Sequence, residues 1–561
     1  MRQLRFHWRH ELAASPEALW PLVADTDRFN RDTGVPPVEV LGTGANAWRR
    51  LRLRRLGVPI EWEEEPFEWL RPERFGVVRR YSRGPIAEMR VQARLEARED
   101  GGTHLDYDVC VRPRNLLGRL AAVVQVGLLS RFSFARAFRD YDRLASATPE
   151  PARPARLAPG GGARLRRGAE TLRAQGLDPQ LVESLVRLLE RGDEQALERL
   201  RPYELADAWQ AGRRESLELL LHATRAGLTE LRWELLCPSC RGAAASVASL
   251  RELESAVHCD TCGIDVSADL ERSVELIFTA SPSLRDLDRR EFCVGGPQLS
   301  PHVVAQQLLG PGEERSLTVR LEPGTYQVRA LGEAAGDVFG ASGETTVTLT
   351  NDSAGERLLR LERAEWRDRA ATAAEVAALQ AFRDLFSTEV LRPGEPVSVG
   401  TLTVLFTDLR GSTRFYREAG DAPAFGSVMQ HLDVLREAVA AEGGAVVKAM
   451  GDAIMAVFTR PAAAVRAGLA AQQAVAGRPL ALKVGIHNGP CIAITQNSVL
   501  DYFGSTVNLA ARLVSLSTGA DVVVSSDVLA DPEVVQLDLR REPVEARLKG
   551  FEESLELWRV R

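Results

Sequence analysis

Two aspartates and four cysteines stand out as residues whose type and spacing could do chemistry. Asp408 closes an apolar run, Thr401 to Thr407, that reads as a strand, and Asp452 sits in the tight Met450-Gly451-Asp452 turn between two further apolar runs. Paired carboxylates beside Gly411, Ser412 and Thr413 would supply two hard-metal ligands plus backbone amides for phosphate, the equipment of two-metal phosphoryl chemistry. Spacing leaves a second reading open, because an Asp after a strand also serves as a turn former or helix cap. The cysteines form Cys237-Pro-Ser-Cys240 and, after eighteen intervening residues, Cys259-Asp-Thr-Cys262. That is the spacing of a tetrathiolate zinc ribbon, in which four protein ligands leave no position for a water nucleophile, so a Zn²⁺ there would be structural. A disulfide pair, disfavoured in a reducing compartment, and a redox dithiol are the alternatives. Cys110, Cys293 and Cys491 read as small buried apolar residues.

Lysine is rare. Of 71 basic residues only Lys448, Lys483 and Lys549 are lysines, so each marks a place where Arg may not serve equally well. The same count excludes chemistry: the chain has no Gly-Lys pair for a Walker A phosphate loop and no lysine before 448 for an N-terminal kinase lobe. A formal charge of −6 gives no general basic field, and only Arg241 and Arg251 are permanently basic between the cysteine pairs, so nucleic acid is not expected as a partner. The opening residues lack the apolar core of a secretory signal, and a cytoplasmic location is expected. The most apolar stretch, Leu120 to Leu129, is about half the roughly 20 residues a membrane span needs, and reads as a core helix rather than a span.

The elements that must position these residues divide into several units, as 561 residues imply about three to five domains. The fold class expected is multidomain α+β. Residues 1–147 read as one unit: Ser15-Pro16 opens a helix, strands follow to about Pro113, and a helix-patterned stretch from Asn115 to Leu144 closes it. This order, with the Ala-Ser-Pro-Glu-Ala-Leu-Trp-Pro-Leu-Val-Ala-Asp opening, resembles the START-like helix-grip fold, which implies a cavity for a hydrophobic small-molecule ligand; a solid-cored domain is the alternative. Residues 148–163 form a Pro/Gly/Ala linker. Leucines at helical spacing predict a helical domain over 164–236, of winged-helix kind, followed by the zinc ribbon at 237–273. Period-two patterns predict an all-β domain over 274–363. Residues 364–396 read as a helix, Ala364 to Leu391, and a linker. That helix either pairs with its copy in a dimer and couples the upstream domains to the last one, or lies on its own domain.

From 397 to 561 the pattern runs strand, helix, strand hairpin, helix, strand at Ala481 to His487, with a further strand at Cys491 to Thr495, a helix from Ser505 to Leu516 and a strand at Asp521 to Ser525, an order that suits a ferredoxin-like α+β sandwich. The segments Val404-Leu-Phe-Thr-Asp-Leu-Arg-Gly-Ser-Thr413, Val447-Lys-Ala-Met-Gly-Asp-Ala-Ile-Met-Ala-Val-Phe458 and Asp501-Tyr-Phe-Gly-Ser-Thr-Val-Asn-Leu-Ala-Ala-Arg512 resemble the class III adenylyl/guanylyl cyclase catalytic domain. The likeness covers less than a third of the chain.

The resemblance implies that Asp408, Asp452 and the Leu409 carbonyl hold two Mg²⁺ or Mn²⁺ ions, and that Gly411, Ser412 and Thr413 meet phosphate. Lys448 and Asp501 match the positions that read the purine: Asp501 can accept from the N6 amine of adenine while Lys448 donates to a ring nitrogen. Guanine inverts that edge. Asn508 would orient the ribose and Arg512 would stabilise charge on the pentavalent phosphorus. Lys549 stands where a phosphate-binding lysine is expected. Lys483, which alternates along a strand, reads as a solvated or salt-bridged surface residue, and His487 as structural rather than catalytic. Sites of this family form between two catalytic domains, so a homodimer with ATP as substrate is implied, yielding 3′,5′-cyclic AMP and pyrophosphate under control of the N-terminal domains. A guanylyl cyclase, or a non-enzymatic nucleotide sensor that uses the zinc ribbon for partner or nucleic-acid binding, is the rival reading.

Overall fold

The computed structural model describes residues 2–55, 57–145, 156–259, 262, 264–288, 290–333, 336–364, 370–477, 480–546, 548 and 555–561. At the N-terminus Ser15 accepts from the Ala18 amide at 3.3 Å and Pro16 takes the first helical position, so Pro16–Val23 forms as the sequence predicts. Strands Leu4–Leu12, Thr103–Pro113, Ile86–Ala97 and Arg74–Arg83 lie side by side, all antiparallel. A continuous helix, Leu116–Ala145, crosses them, with a π-helical segment at Val123–Leu129. Its C-terminal half buries Phe134, Ala137, Phe138 and Tyr141 against the sheet. A cavity of about 410 Å³ lies under this helix, lined among others by Leu51, Trp62, Tyr81, Met89, Val109 and Phe134.

Three expectations need correction. The stretch Leu120 to Leu129 is not a core helix: Leu120, Val123, Val124, Leu128 and Leu129 are all exposed. Length and apolar composition cannot report which way a helix faces, and here Gly118, Ala122 and Val126 take the inward positions while the leucines face out. The helix is long and apolar enough to cross a membrane, yet 11% of its apolar window is buried and its other half is fixed to the sheet.

The all-β unit over 274–363 is divided between two sheets. Val274–Ala280 pairs with Thr229–Leu236 in a three-stranded sheet completed by Ala243–Val247. Val303–Leu309, Glu314–Ala330, Val338–Thr350 and Arg357–Arg363 instead extend the N-terminal sheet to twelve strands, joined where Glu68–Leu70 pairs with Val303–Leu309. Gln306 Nε2 reinforces that seam by donating to the Phe67 carbonyl at 2.6 Å. Period-two patterning identifies strands but not the edge they join.

The single helix expected from Ala364 to Leu391 is two short ones, Ala373–Ala377 and Gln380–Leu385; residues 365–369, Trp366 among them, lie outside the described residues. A capping box at Thr372 and Glu375 starts the first. Ala373, Ala374, Val376, Ala377, Leu379 and Phe382 are buried in one core with the helical and cysteine-bearing parts. A segment whose apolar side chains are buried in its own core offers no apolar stripe for pairing with a copy. Of the linker 148–163, residues 148–155 lie outside the described residues, and the last residues already begin the helix Gly161–Ala174.

The last unit has the ferredoxin-like order expected, except that the strands expected at Ala481 to His487 and Cys491 to Thr495 are one strand, Ala481–Gln496. Ala445–Met450, Ala453–Phe458, Val397–Arg410 and Ala481–Gln496 are antiparallel neighbours in that sequence, the 2-3-1-4 order of a ferredoxin-like sandwich. Asp421–Ala441 and Pro461–Val475 pack on one face through Val428, Leu435, Val439, Val465 and Ala471. Val522–Ser525 adds parallel to Ala481–Gln496, and Leu557–Val560 and Arg541–Val544 follow it.

Candidate active site

The central strand Val397–Arg410 carries Asp408, half-buried, at its C-terminal end, followed by buried Leu409. Its pairing with Ala453–Phe458 ends at Phe406 opposite Met455, and beyond that Thr407 Oγ1 accepts from the Ile454 amide at 3.1 Å. Asp408 and Asp452 lie one residue past and two residues before the partners of this tie, at the same end of adjacent strands. Between Ala445–Met450 and Ala453–Phe458 the hairpin loop is Gly451-Asp452, with Gly451 at φ +71° in the first central position, where a two-residue turn requires positive φ. Asp452 Oδ2 is buried with no hydrogen-bond partner. A buried carboxylate oxygen without a donor is costly, and a cation would satisfy it; the donor set fits Mg²⁺ or Mn²⁺.

Gly411, at φ +82°, turns the chain from the strand into the helix Ser412–Ala419, so the amides of Ser412 and Thr413 stand in its first turn. Lys448 sits at a bulge in Ala445–Met450, and its ammonium donates to Asp501 Oδ2 at 2.5 Å. Asp501 comes from Val499–Phe503, which pairs with Ala481–Gln496; its side chain is 7% exposed and its Oδ1 accepts from the Tyr502 amide at 2.8 Å. The Lys448 ammonium also lies 5.9 Å from the centre of the Phe503 ring. Asn508 and Arg512 are exposed on the helix Ser505–Leu513, whose opposite face buries Thr506, Leu509, Ala510 and Leu513. Lys549 lies outside the described residues. His487 is buried, its Nδ1 2.7 Å from Ser525 Oγ, and burial pushes its pKa down, which suits a neutral structural imidazole.

Sequence reasoning missed three residues near this site. Lys483 is directly opposite Asp408 in the ladder, a cross-strand partner that the surface reading did not name. Gln380 Oε1 accepts from the Val446 amide at 2.8 Å, two residues from Lys448. Arg383 Nη1 donates to the Leu500 carbonyl at 3.0 Å, one residue from Asp501, and its guanidinium lies 5.4 Å from the Tyr502 ring centre. Cross-strand register and long-range contacts leave no local signal that could have exposed them.

The sulfurs of Cys237, Cys240, Cys259 and Cys262 all lie within 4.8 Å of one another, a geometry compatible with Zn²⁺. Cys237 follows the strand Thr229–Leu236 in a knuckle where the Arg241 amide donates to the Cys237 carbonyl at 2.7 Å, and Cys259 ends a strand of the hairpin Ala256–Cys259 and Ile264–Ser267. The four thiols act on one another: hydrogen bonds from Cys237 and Cys240 lower the Cys259 thiol, while Cys237 and Cys240 are themselves pushed up. Hydrogen bonds from the other three hold Cys262 far below the usual thiol range. The knuckle is fastened to the long sheet by Arg329, which donates to the Pro238 and Ser239 carbonyls at 3.0 and 2.9 Å.

Residues 395–558 match the family of adenylate and guanylate cyclase catalytic domains. The C-terminal unit is therefore a domain of that family. Residues 167–292 match a family of unknown function, a span that includes the cysteines and the strand Val274–Ala280. The adenylate cyclase of Schizosaccharomyces pombe is 28% identical over 160 residues, 23% of this chain and 9% of that protein. The adenylate cyclase of Anabaena cylindrica is 27% identical over 189 residues, 29% of this chain and 37% of that protein. The chain thus spans well under half the length of these curated relatives. Among solved structures, the adenylyl cyclase CyaB from P. aeruginosa is 24% identical, with 30% of this chain and 95% of that chain covered and a TM-score of 0.27.

Proposed function

We propose that the chain is an adenylyl cyclase that converts ATP to 3′,5′-cyclic AMP and pyrophosphate at a site shared between two copies. The observation that carries this reading is the Lys448–Asp501 pair, a donor and an acceptor held 2.5 Å apart at the purine positions of a cyclase domain. Asp501 accepts from the N6 amine of adenine and Lys448 donates to a ring nitrogen, a pattern that guanine, with a carbonyl at that edge, does not satisfy. Two Mg²⁺ or Mn²⁺ held by Asp408, Asp452 and the Leu409 carbonyl would acidify the ribose 3′-hydroxyl and neutralise the triphosphate. Asn508 orients the ribose, and Arg512 supplies positive charge where the pentavalent phosphorus develops negative charge. Ser412 and Thr413 offer amides to phosphate oxygens, and Lys549 is assigned to the same phosphates.

Dimer formation is supported by exposed apolar side chains on this domain, Phe425, Met429, Met450, Ile492 and Phe503. Regulation runs through the buried connector. Gln380 and Arg383 touch the strands that carry Lys448 and Asp501, so a shift of the upstream domains changes the purine pair directly. The helix-covered N-terminal cavity takes a hydrophobic ligand as a START-like domain would, and a structural Zn²⁺ holds the cysteine knuckles. A cytoplasmic location, where ATP is available, suits this reading.

The test is turnover of ATP and GTP side by side by the purified full chain with Mn²⁺ or Mg²⁺, and by Asp408→Ala. Cyclic AMP formed by the wild type and lost in the folded variant supports the reading. Preferred turnover of GTP, or no turnover of either nucleotide at any protein concentration, refutes it.

A further inference from the structure

The helix Leu116–Ala145 turns an apolar stripe outward. Leu117 is 76% exposed, Leu120 63%, Leu128 59% and Phe132 75%, with Leu116, Val124 and Leu129 beside them. At spacings of three and four residues these side chains occupy one face. Residues 116–132 hold two arginines, Arg119 and Arg131, and no Asp or Glu, in a chain whose formal charge is −6. Among the described residues no carboxylate pairs with Arg119 or Arg131, both exposed. The strand hairpin that carries exposed Arg54 and Arg55 abuts the same face, where Arg55 Nη2 donates to Gln125 Oε1 at 2.7 Å, and Val58 in that hairpin is exposed as well.

We propose that this face, Leu116 to Phe132 with the Arg54-Arg55 hairpin beside it, docks on an anionic lipid bilayer surface. A stripe of leucines rimmed by arginines inserts its apolar side chains at the headgroup boundary while the guanidiniums meet lipid phosphates. Crossing the bilayer is excluded by the same helix, since Phe134, Ala137, Phe138 and Tyr141 fix its second half to the sheet. A second copy is a poor occupant: a two-fold contact would set Arg119, Arg131 and their copies against one another with no acidic residue on this stretch to offset them. The helix also forms one wall of the 410 Å³ cavity, so the docked face and the cavity share Val124 and Gln125.

Full-length protein sedimented with vesicles of phosphatidylcholine alone, or of phosphatidylcholine mixed with phosphatidylglycerol, tests this. Binding is expected on the anionic vesicles only, falling as salt is raised. Arg119→Gln/Arg131→Gln should weaken it by about 30-fold. Leu117→Ser/Leu120→Ser/Leu128→Ser should weaken it by on the order of 10²-fold or more. Both variants should keep the wild-type unfolding midpoint because the altered side chains are exposed; if the leucine variant unfolds, the arginine variant and Phe132→Ser carry the test. No binding to anionic vesicles, equal binding to neutral ones, or unchanged binding by the variants overturns the proposal. So does sedimentation velocity in which the leucine variant dissociates a dimer while vesicle binding is absent, since the face would then belong to a second copy.

Discussion

Asp501→Asn separates the two oxygens of one carboxylate. In the folded protein Oδ1 accepts from the Tyr502 amide at 2.8 Å and Oδ2 faces the Lys448 ammonium at 2.5 Å. The buried Tyr502 N–H keeps an acceptor in place, because leaving it unpaired costs about 1–3 kcal/mol. The asparagine must therefore point its Oδ1 at Tyr502 and present Nδ2, a donor, where the wild type presents an acceptor. Lys448, 35% exposed, can turn toward solvent, so the fold should survive with a loss of about 1–2 kcal/mol. At the purine edge a donor opposes the N6 amine of adenine but matches the carbonyl of guanine. A hydrogen bond to a charged group is worth about 1.5–3 kcal/mol, so the ratio of kcat/KM for ATP over GTP should fall by about 10- to 150-fold. Initial rates with both nucleotides, together with a thermal melt, read the two effects separately. A folded variant whose ATP/GTP ratio matches the wild type would refute the assignment of Asp501 to the purine.

Asp452→Asn removes a buried charge whose Oδ2 has no donor, so without metal its melting temperature should rise, while Mn²⁺ should stabilise the wild type and not the variant; equal Mn²⁺ responses would exclude Asp452 as a ligand. The purified chain should hold one zinc per molecule by elemental analysis, and Cys240→Ser should lose it and destabilise the protein by several kcal/mol, on the order expected for a structural site; full stability without zinc would contradict the tetrathiolate reading. Burial pushes the Asp25 carboxyl up to about 6, so between about pH 4 and 6 the folded state holds a proton that the unfolded state has lost. Stability should fall across that window as pH rises, by on the order of 3 kcal/mol, and Asp25→Asn, which keeps an oxygen for the Arg28 amide, should flatten the fall; an unchanged pH profile would count against it.

What the sequence determined by itself was chemistry that short segments carry. The strand that carries Asp408 near its end, the Gly451-Asp452 turn, the Asn508 and Arg512 helix face and the two Cys-x-x-Cys pairs are each set locally, by period, turn chemistry and fixed spacing. The strand order of the last unit followed from one tight hairpin and two helical crossovers, the connections its element order implies. Tertiary structure decided everything that depended on which surfaces meet. Period-two patterns located Val274–Ala280 and Val303–Leu309 as strands, yet the first joined Thr229–Leu236 and the second the N-terminal sheet, since free edges far apart in sequence compete for the same backbone donors and acceptors. The alanine-rich segment after Thr372 could have been a surface helix; its alanines, Val376, Leu379 and Phe382 became interior because apolar neighbours cover them, while Glu375 and Asp384 stay exposed. The leucines of Leu116 to Leu129 went the other way, left outside because Gly118, Ala122 and Val126 take the inward positions of that stretch, over the cavity and the sheet. Local geometry travels with the residues, but burial is a property of partners, and partners are brought together only by the folded chain.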